Sequence, residues 1–341
     1  MIVIDARAAA RPELGGVERW ARELERRLPA LRPGGYRVAR PPAWLAHRAG
    51  HLWEQAVLPA RARGARLLLC PANLAPLAFQ RNAVVLHDAA ALREPGWYSA
   101  AYAAWQRALL PRIARRAALV ITVSGFSRRE LSELLGLDPA GIAVVPGGVD
   151  ARFDPGADPE PARAALALER PYVLTVASRT ARKNLAALGD AARALKAEGI
   201  DVVAAGGDRP QFRAQDDGAV RALGHVPDEL LPGLYAGAAA FALPSRYEGF
   251  GLTCLEAMAC GTPVVAAARG ALPEVCGDAA VYADPDDPPA ITAALRGAIG
   301  DAGLRAAGLR RAAAFSWDRT AREVDALLHA DRPLRQPGAT G

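Results

Sequence analysis

The chain has 341 residues, 51% of them hydrophobic, which is enough for two domains of ordinary size with substantial cores. Its net charge of +6 hides an asymmetry: residues 1–150 carry 21 Arg against 12 acids, or +9, while residues 151–341 carry 21 basic against 24 acidic residues, or −3. No apolar run is long enough to span a bilayer, and no recognition motif or Arg/aromatic cluster points to nucleic acid. The start, Met1-Ile-Val-Ile-Asp5, lacks the basic region and long apolar core of a signal peptide. Cys70, Cys254, Cys260 and Cys276 show no paired metal spacing, so a reduced, cytoplasmic protein without a bound metal is expected.

In the first half, strands alternate with helices. Met1–Ala6 reads as a strand. Gly16–Leu31 reads as a helix with Val17, Trp20, Leu24, Leu28 and Leu31 on one face. Short strands follow at Leu67–Cys70 and Ala83–His87, a long helix at Ser99–Ala118 and a strand at Leu119–Val123. Ser127–Leu135 reads as a helix capped by Ser127 with Glu130 three residues on, and Ala143–Pro146 closes the half. Pro146 to Pro161 is rich in Pro, Gly and Asp and reads as a linker.

The alternation then restarts. Tyr172–Val176 is a strand, Leu185–Ala197 a helix and Val202–Ala205 a strand; Ala219–Leu223 is a short strand and Asp228 caps a helix to Ala236. A buried strand ends at Pro244, and Leu252–Cys260 has helical spacing. Val264–Ala267 and Val281-Tyr282 are strands, and helices run on from Pro289. The expected fold is α/β, with two facing Rossmann-like domains and a cleft between them. The expected bounds are 1–158, presenting an acceptor, and 159–317, holding a donor. Residues 318–341 would form a C-terminal helix packing back towards the first domain, with a disordered tail.

The most informative stretch is Ser245-Arg-Tyr-Glu-Gly-Phe-Gly-Leu-Thr-Cys-Leu-Glu256. Glu248 and Glu256 flank a glycine-rich turn from strand to helix, at the sheet edge where open α/β sheets bind ligands. Carboxylates accept hydrogen bonds from sugar hydroxyls, and the first N–H groups of a helix favour phosphate. A structural alternative exists: Thr253 and Glu256 also fit a capping box. Arg179, Arg182 and Lys183 follow the first strand of the second half, where cations suit a diphosphate. Lys183 and Lys196 are the chain's two lysines, against 40 arginines. Gly15-Gly16 follows the first strand and lets the backbone approach a ligand. His87-Asp88 ends another strand in the first half. No zinc, serine-hydrolase or P-loop motif is present.

These residues, together with Thr122-Val-Ser-Gly-Phe-Ser127, Val145-Pro-Gly-Gly-Val-Asp150, Leu234-Tyr-Ala-Gly-Ala238, Glu256-Ala-Met-Ala-Cys-Gly-Thr-Pro-Val-Val265, Leu272-Pro-Glu274 and Phe315-Ser-Trp317, resemble the retaining glycosyltransferases of family 4 (GT-B fold). Trp53-Glu-Gln55 and Pro71-Ala-Asn73 narrow the likeness to mannosyl- and rhamnosyltransferases of cell-surface polysaccharide assembly. The resemblance implies a nucleotide-diphosphate sugar, GDP-mannose foremost, as donor and no cofactor or metal. The acceptor would be a glycan, a lipid-linked or a small molecule. It implies catalytic roles for Glu248, His87, Arg179 and Lys183. It implies a donor site of Gly15, Gly16, Arg179, Lys183, Glu248, Gly249, Phe250, Gly251, Leu252, Thr253 and Glu256, with Glu256 on the ribose. The chain departs from the family pattern at Thr253, where Pro is usual, and at Gly147, where Asn is usual.

A non-catalytic nucleotide-sugar-binding protein and a sugar-nucleotide epimerase are the alternatives on the same architecture. The basic first half makes an anionic membrane surface a candidate partner, met by Arg22, Arg26, Arg27, Arg32, Arg37 and Arg40 at the inner face of the plasma membrane.

Overall fold

The computed structural model describes residues 1–11, 15–42, 50–207 and 219–330. The expected disordered tail from Arg332 and residue Glu13 of the glycine turn lie outside the described residues. Two compact units divide the chain. The first groups Met1–Arg93, Ala103–Gly148 and Trp317–Gly341; the second groups Glu94–Tyr102 and Val149–Ser316.

The first unit is built on a six-stranded parallel sheet in the order β2-β1-β3-β4-β5-β6. The strands are β1 (Ile2–Asp5), β2 (Tyr36–Ala39), β3 (Leu67–Cys70), β4 (Asn82–Val85), β5 (Leu119–Thr122) and β6 (Ile142–Val144). β1, β3 and β4 are buried along their whole length, which is why they read as unbroken apolar runs rather than alternating ones. β1 pairs in parallel with both β2 and β3, Ile2 standing opposite Tyr36 and Leu67, so the strand order reverses between β1 and β3. Helix α1 (Gly16–Leu31) buries Trp20, Leu24 and Leu28 as its spacing requires, but Leu31, in its last turn, is 44% exposed. Helix α2 (Ala100–Arg116) packs Leu110 and Ile113 into the core. Helix α3 (Gly125–Leu135) starts two residues earlier than its sequence signal. Its cap is Ser124, whose side chain accepts from the Ser127 N–H at 2.9 Å, so Ser127 is the receiver of the cap and not its source.

The second unit repeats the scheme with the order β12-β11-β10-β7-β8-β9. Its strands are β7 (Tyr172–Val176), β8 (Asp201–Ala205), β9 (Arg221–Gly224), β10 (Ala240–Leu243), β11 (Val264–Ala267) and β12 (Ala280–Ala283). The order reverses between β7 and β10, and helix α4 (Leu252–Ala259) follows β10 after a glycine-rich turn. Such reversal points leave a crevice at the carboxyl edge. The helix expected from Leu185 begins as a 3-10 turn over Leu185–Leu188 and becomes α-helical only from Gly189, because Asn184 ahead of it is left-handed, at φ 55°.

The last described helix, α5 (Trp317–His329), belongs to the first unit and packs along α1. Asp325 of α5 accepts from Arg32 Nη2 at 2.6 Å and from the Tyr36 hydroxyl at 2.6 Å. Arg27 reaches Asp318 at 2.7 Å. Of the described residues, no helix is long and apolar enough to cross a membrane.

Candidate functional site

The loops after β7 and β10 meet at the carboxyl edge of the second sheet, on either side of the reversal. Lys183 Nζ donates to Glu248 Oε1 at 2.5 Å, and Arg182 Nη1 lies 3.6 Å from Glu248 Oε2. The backbones are tied as well: Arg246 N–H donates to Arg182 O at 2.9 Å, and Arg182 Nη1 donates to Tyr247 O at 3.3 Å. Asn184 Nδ2 bridges to Pro244 O at 3.2 Å and to Pro285 O at 2.7 Å, which holds the β7 loop in its left-handed corner. Glu248 is 7% exposed. Burial by itself would raise its carboxyl, but Lys183 and Arg182 outweigh burial and hold it below the ordinary carboxylate range. Arg179, half-buried, is on the same loop as Lys183.

Two glycines are demanded by packing here. Gly270, at φ +67°, lies against the Glu248 backbone: a Cβ would come within 2.8 Å of Glu248 O, and Ala271 N–H donates to that oxygen at 2.9 Å. Gly251, at φ +107°, starts α4, and a Cβ there would come within 2.6 Å of Leu272 Cδ2. Neither Gly270 nor the β7–β10 tie announces itself in the local sequence.

α4 has no side-chain cap. Its cap position is Gly251, and Thr253 lies inside the first turn, so the capping-box alternative for Thr253 and Glu256 does not describe this helix. Glu256 is buried and accepts from the Tyr235 hydroxyl at 3.0 Å. Gly249 is buried, whereas Phe250, Leu252 and Thr253 are half-buried. The first N–H groups of a helix have no intrahelical acceptor and carry the positive end of its dipole. The edge therefore combines cations, a fixed carboxylate and the N–H groups of a helix start, a set suited to a phosphorylated, hydroxyl-rich molecule.

Gly15, Gly16 and His87 lie in the first unit. Gly15 is extended at φ −96°, and its N–H donates to Glu18 Oε2 at 3.1 Å. A Cβ at Gly16 would meet nothing within 4 Å, so the protein's own packing does not require a glycine there. His87 is buried, edge-on to Trp20 at 5.6 Å, and its Nε2 is 2.8 Å from Pro71 O. Burial pushes its imidazole below the ordinary value, so the ring is neutral at neutral pH. A carbonyl only accepts, so Nε2 carries the proton and Nδ1 is the acceptor.

A second polar cluster, at the carboxyl end of β1, was not foreseen as a group. Arg7 Nε donates to Glu54 Oε1 at 2.6 Å, while Asp5 Oδ1 accepts from Trp53 Nε1 at 3.0 Å and from Arg7 N–H at 3.2 Å. All four residues are buried, and Trp53–Val57 forms a π-helical turn. Burial first, and then the charge of Glu54, push the Asp5 carboxyl up to about 6. The Trp53-Glu54-Gln55 triplet was the available signal, but its partners stand 47 residues away.

The arginines expected to meet a membrane have partners inside the first unit. Arg22 Nη2 donates to Arg11 O at 3.0 Å, Arg26 pairs with Glu23 at 3.1 Å, and Arg27 pairs with Glu23 and Asp318. Arg32 pairs with Asp325, Arg37 donates to Arg61 O, and Arg40 pairs with Glu25. Arg26, Arg27, Arg32 and Arg40 are thus paired with acids, while Arg22 and Arg37 donate to backbone carbonyls and keep their charge.

Among the described residues no group of three or more His, Cys, Asp or Glu side chains is placed to hold a metal ion. All four cysteines are buried free thiols.

Comparison with known proteins adds to this geometry. The profile described as Glycosyltransferase Family 4 matches residues 81–153, and the profile described as Glycosyl transferases group 1 matches residues 170–301. The chain is 33% identical over 269 residues to O-antigen chain mannosyltransferase B of Escherichia coli, covering 71% of this chain and 68% of that one. It is 39% identical over 223 residues to a D-inositol 3-phosphate glycosyltransferase of Salinispora arenicola, where it spans 50% of the relative's length. Among solved structures, sucrose-phosphate synthase of Thermosynechococcus elongatus superposes with a TM-score of 0.73 at 22% identity, covering 96% of this chain and 98% of that one. WaaG, a glycosyltransferase involved in lipopolysaccharide biosynthesis, superposes with a TM-score of 0.66 at 13% identity, covering 97% and 100%. Both structures share the two-Rossmann GT-B fold with this chain.

Proposed function

This chain belongs to glycosyltransferase family 4, and on that premise we propose that it is a retaining hexosyltransferase. It takes mannose or a related sugar from a nucleotide-diphosphate donor, GDP-mannose foremost, and passes it to a glycan or lipid-linked acceptor. The observation that carries this reading is the cluster of Lys183, Arg182 and Glu248 beside the start of α4. The mannosyltransferase relative supports the choice of sugar.

In this proposal Lys183, Arg179 and the N–H groups at the start of α4 receive the diphosphate. The glycosidic C–O bond breaks with its electron pair passing to the phosphate oxygen, so negative charge grows there. Preorganised cations and N–H groups stabilise that growth, and no metal ion is assigned a role. Lys183 has three donors, one of which it gives to Glu248. Glu248, kept ionised by its two cations, accepts hydrogen bonds from sugar hydroxyls. Glu256 accepts hydrogen bonds from the ribose hydroxyls. Neutral His87 presents Nδ1 as an acceptor for a sugar hydroxyl. The acceptor hydroxyl adds to the anomeric carbon on the face the diphosphate leaves, and its proton departs with the leaving group.

A second acceptor class is favoured by the inositol-phosphate relatives, which match at higher identity but over about half their length. A thermal-shift screen against GDP-, UDP-, ADP- and dTDP-sugars identifies the donor, since a ligand that binds only the folded state stabilises it. Radiolabelled transfer to a lipid-linked glycan and to inositol phosphate then separates the acceptors. Donor binding without transfer to any acceptor or to water overturns the enzymatic reading in favour of a non-catalytic binding protein.

A further inference from the structure

His87 is gripped by a segment that precedes it by 14 residues. In the pairing of β3 with β4, Leu68 stands opposite Asn82 and donates to Arg81 O, the carbonyl before its partner. A regular parallel ladder completes the pattern by accepting from the N–H after the partner. Asn73, beyond the end of β3, still bonds around Leu86 in this way. Its N–H donates to Val85 O at 2.9 Å, and the His87 N–H donates back at 2.7 Å. The acceptor, however, is the Asn73 side-chain oxygen Oδ1 and not its backbone carbonyl. Cys70 stands opposite Val84, so Leu86 is two residues further along one strand and Asn73 three along the other. The extra residue falls at Pro71-Ala72, where proline has no N–H to give the ladder. Asn73 absorbs the irregularity in a left-handed backbone, at φ 63°, a conformation that asparagine tolerates and most residues do not. Pro71 O meets the His87 ring at Nε2, 2.8 Å away, and the His87 carbonyl accepts from Ser127 Oγ at 2.9 Å.

We propose that Asn73 is a positioning residue: its side-chain carbonyl stands in for a backbone carbonyl of the ladder and fixes His87 so that Pro71 O holds the ring proton on Nε2 and Nδ1 stays an acceptor. One three-residue segment thus pins both ends of His87, the backbone through Asn73 and the ring through Pro71. The orienting group is a neutral carbonyl where a carboxylate would favour the charged imidazolium, so the ring is aimed without being protonated. The chemistry restricts what can stand at position 73. Glycine adopts the left-handed backbone but brings no acceptor. Aspartate tolerates the same backbone and offers an oxygen at the same place. Alanine satisfies neither requirement. Asn184 does the corresponding work in the second unit with the other end of its amide: it too is left-handed, and its Nδ2 donates to Pro244 O and Pro285 O. The proposal takes its purpose from the reading of His87 as a sugar ligand, whereas the hold on the ring is measured with no substrate present.

The test compares the full chain with Asn73→Gly and Asn73→Asp at pH 8, below the lowest melting midpoint of the three. The first readout is nuclear magnetic resonance of the histidine rings with nitrogen-15 label, the His87 signal being assigned by its absence in His87→Ala. A buried, hydrogen-bonded Nε2–H exchanges slowly with water and gives a resolved proton signal. That signal is expected in the wild type and in Asn73→Asp, and it should be lost in Asn73→Gly. The second readout is release of GDP from GDP-mannose. In Asn73→Gly, kcat should fall roughly ten- to a hundredfold, the scale of misplacing a group by about 1 Å. KM for GDP-mannose should stay within about twofold, because the misplaced group is not one that holds the nucleotide. Asn73→Asp should recover most of the turnover. A ring signal that persists in Asn73→Gly overturns the proposal, and so does one that vanishes from Asn73→Asp or is missing from the wild type. A signal lost in Asn73→Gly with turnover unchanged leaves the hold of Asn73 on His87 standing and counts against His87 in the proposed function. A wild-type chain that releases no GDP likewise counts against that function, while the ring signal still decides the role of Asn73.

Discussion

Lys183 Nζ and Glu248 Oε1 stand 2.5 Å apart, a side-chain contact between the loop after β7 and the loop after β10 across the reversal in strand order. The pair links a phosphate-binding cation to a sugar-binding carboxylate, so substitutions at the two positions are coupled. Lys183→Ala is expected to lower kcat/KM by roughly two to three orders of magnitude, the scale of losing one preorganised charge in a closed site. It also takes from a buried carboxylate the nearer of its two cations, which costs stability. Lys183→Ala combined with Glu248→Gln should therefore recover melting temperature and not activity. Lys196→Ala, on an exposed helix face, should change neither. Wild-type kinetics in Lys183→Ala would remove Lys183 from the site.

Glu248 also sets an acid limit. Its folded-state pKa is depressed, so the stability it contributes is present above the ordinary glutamate value and is lost as pH falls through the lower folded value. Acid unfolding followed by circular dichroism should thus be displaced to higher pH in Lys183→Ala, because the carboxylate protonates sooner. Superimposable acid transitions in the two proteins would contradict the pairing in solution.

The fold was legible because both sheets are parallel and buried: runs such as Leu67-Leu-Leu-Cys70 and Tyr172–Val176 announce their strands without ambiguity. The glutamates of Ser245–Glu256 were legible as a site because their spacing survives in one segment. What failed depended on geometry. Thr253 and Glu256 have capping-box spacing, yet a left-handed Gly251 starts the helix and puts Thr253 inside it. Ser127 looked like a cap because Glu130 follows it, yet Ser124 does the capping. Partnerships between distant segments, Arg7 with Glu54 or Lys183 with Glu248, leave no local period. The pairing of Glu23 with Arg26 and Arg27 was readable from the i,i+3 and i,i+4 spacing and already argued against a free basic face on α1.

Glu256 and Tyr235 allow nucleotide binding to be separated from stability. Glu256→Gln keeps an oxygen that can accept from the Tyr235 hydroxyl, so melting should change little while nucleotide affinity falls. Glu256→Ala leaves that buried hydroxyl without its acceptor, at a cost of about 1–3 kcal/mol. Isothermal titration with the nucleotide diphosphate, alongside melting, reads both. Full affinity in Glu256→Gln would leave Glu256 a structural partner of Tyr235 only.

Gly251→Ala should damage the α4 start from two sides. The left-handed conformation costs a residue with a Cβ about 1–2 kcal/mol. The methyl group would also press on Leu272 Cδ2 at 2.6 Å. The expected result is a melting temperature below that of the wild type, read by thermal denaturation. A variant that melts with the wild type would mean the turn adopts another conformation.

Asp5 gives a pH dependence of opposite sign to that of Glu248. Its carboxyl is pushed up to about 6, first by burial and then by Glu54. A raised folded pKa means that the contribution of this group is most favourable below the unfolded value near 4 and is lost as pH rises through about 6. At neutral pH the buried cluster holds two carboxylates against one guanidinium. Asp5→Asn removes the surplus charge but retains an oxygen that can accept from Trp53 Nε1 and the Arg7 N–H. The variant should melt higher than the wild type at pH 7.5, and the advantage should shrink to nothing by pH 4.5, where Asp5 is already neutral. Arg7→Leu should do the reverse at pH 7.5, because it strands Glu54 beside Asp5 with no cation between them. Melting curves of the three proteins across that range decide it. A wild-type chain that outlasts Asp5→Asn at pH 7.5 would show that Asp5 is ionised and held by Arg7 throughout.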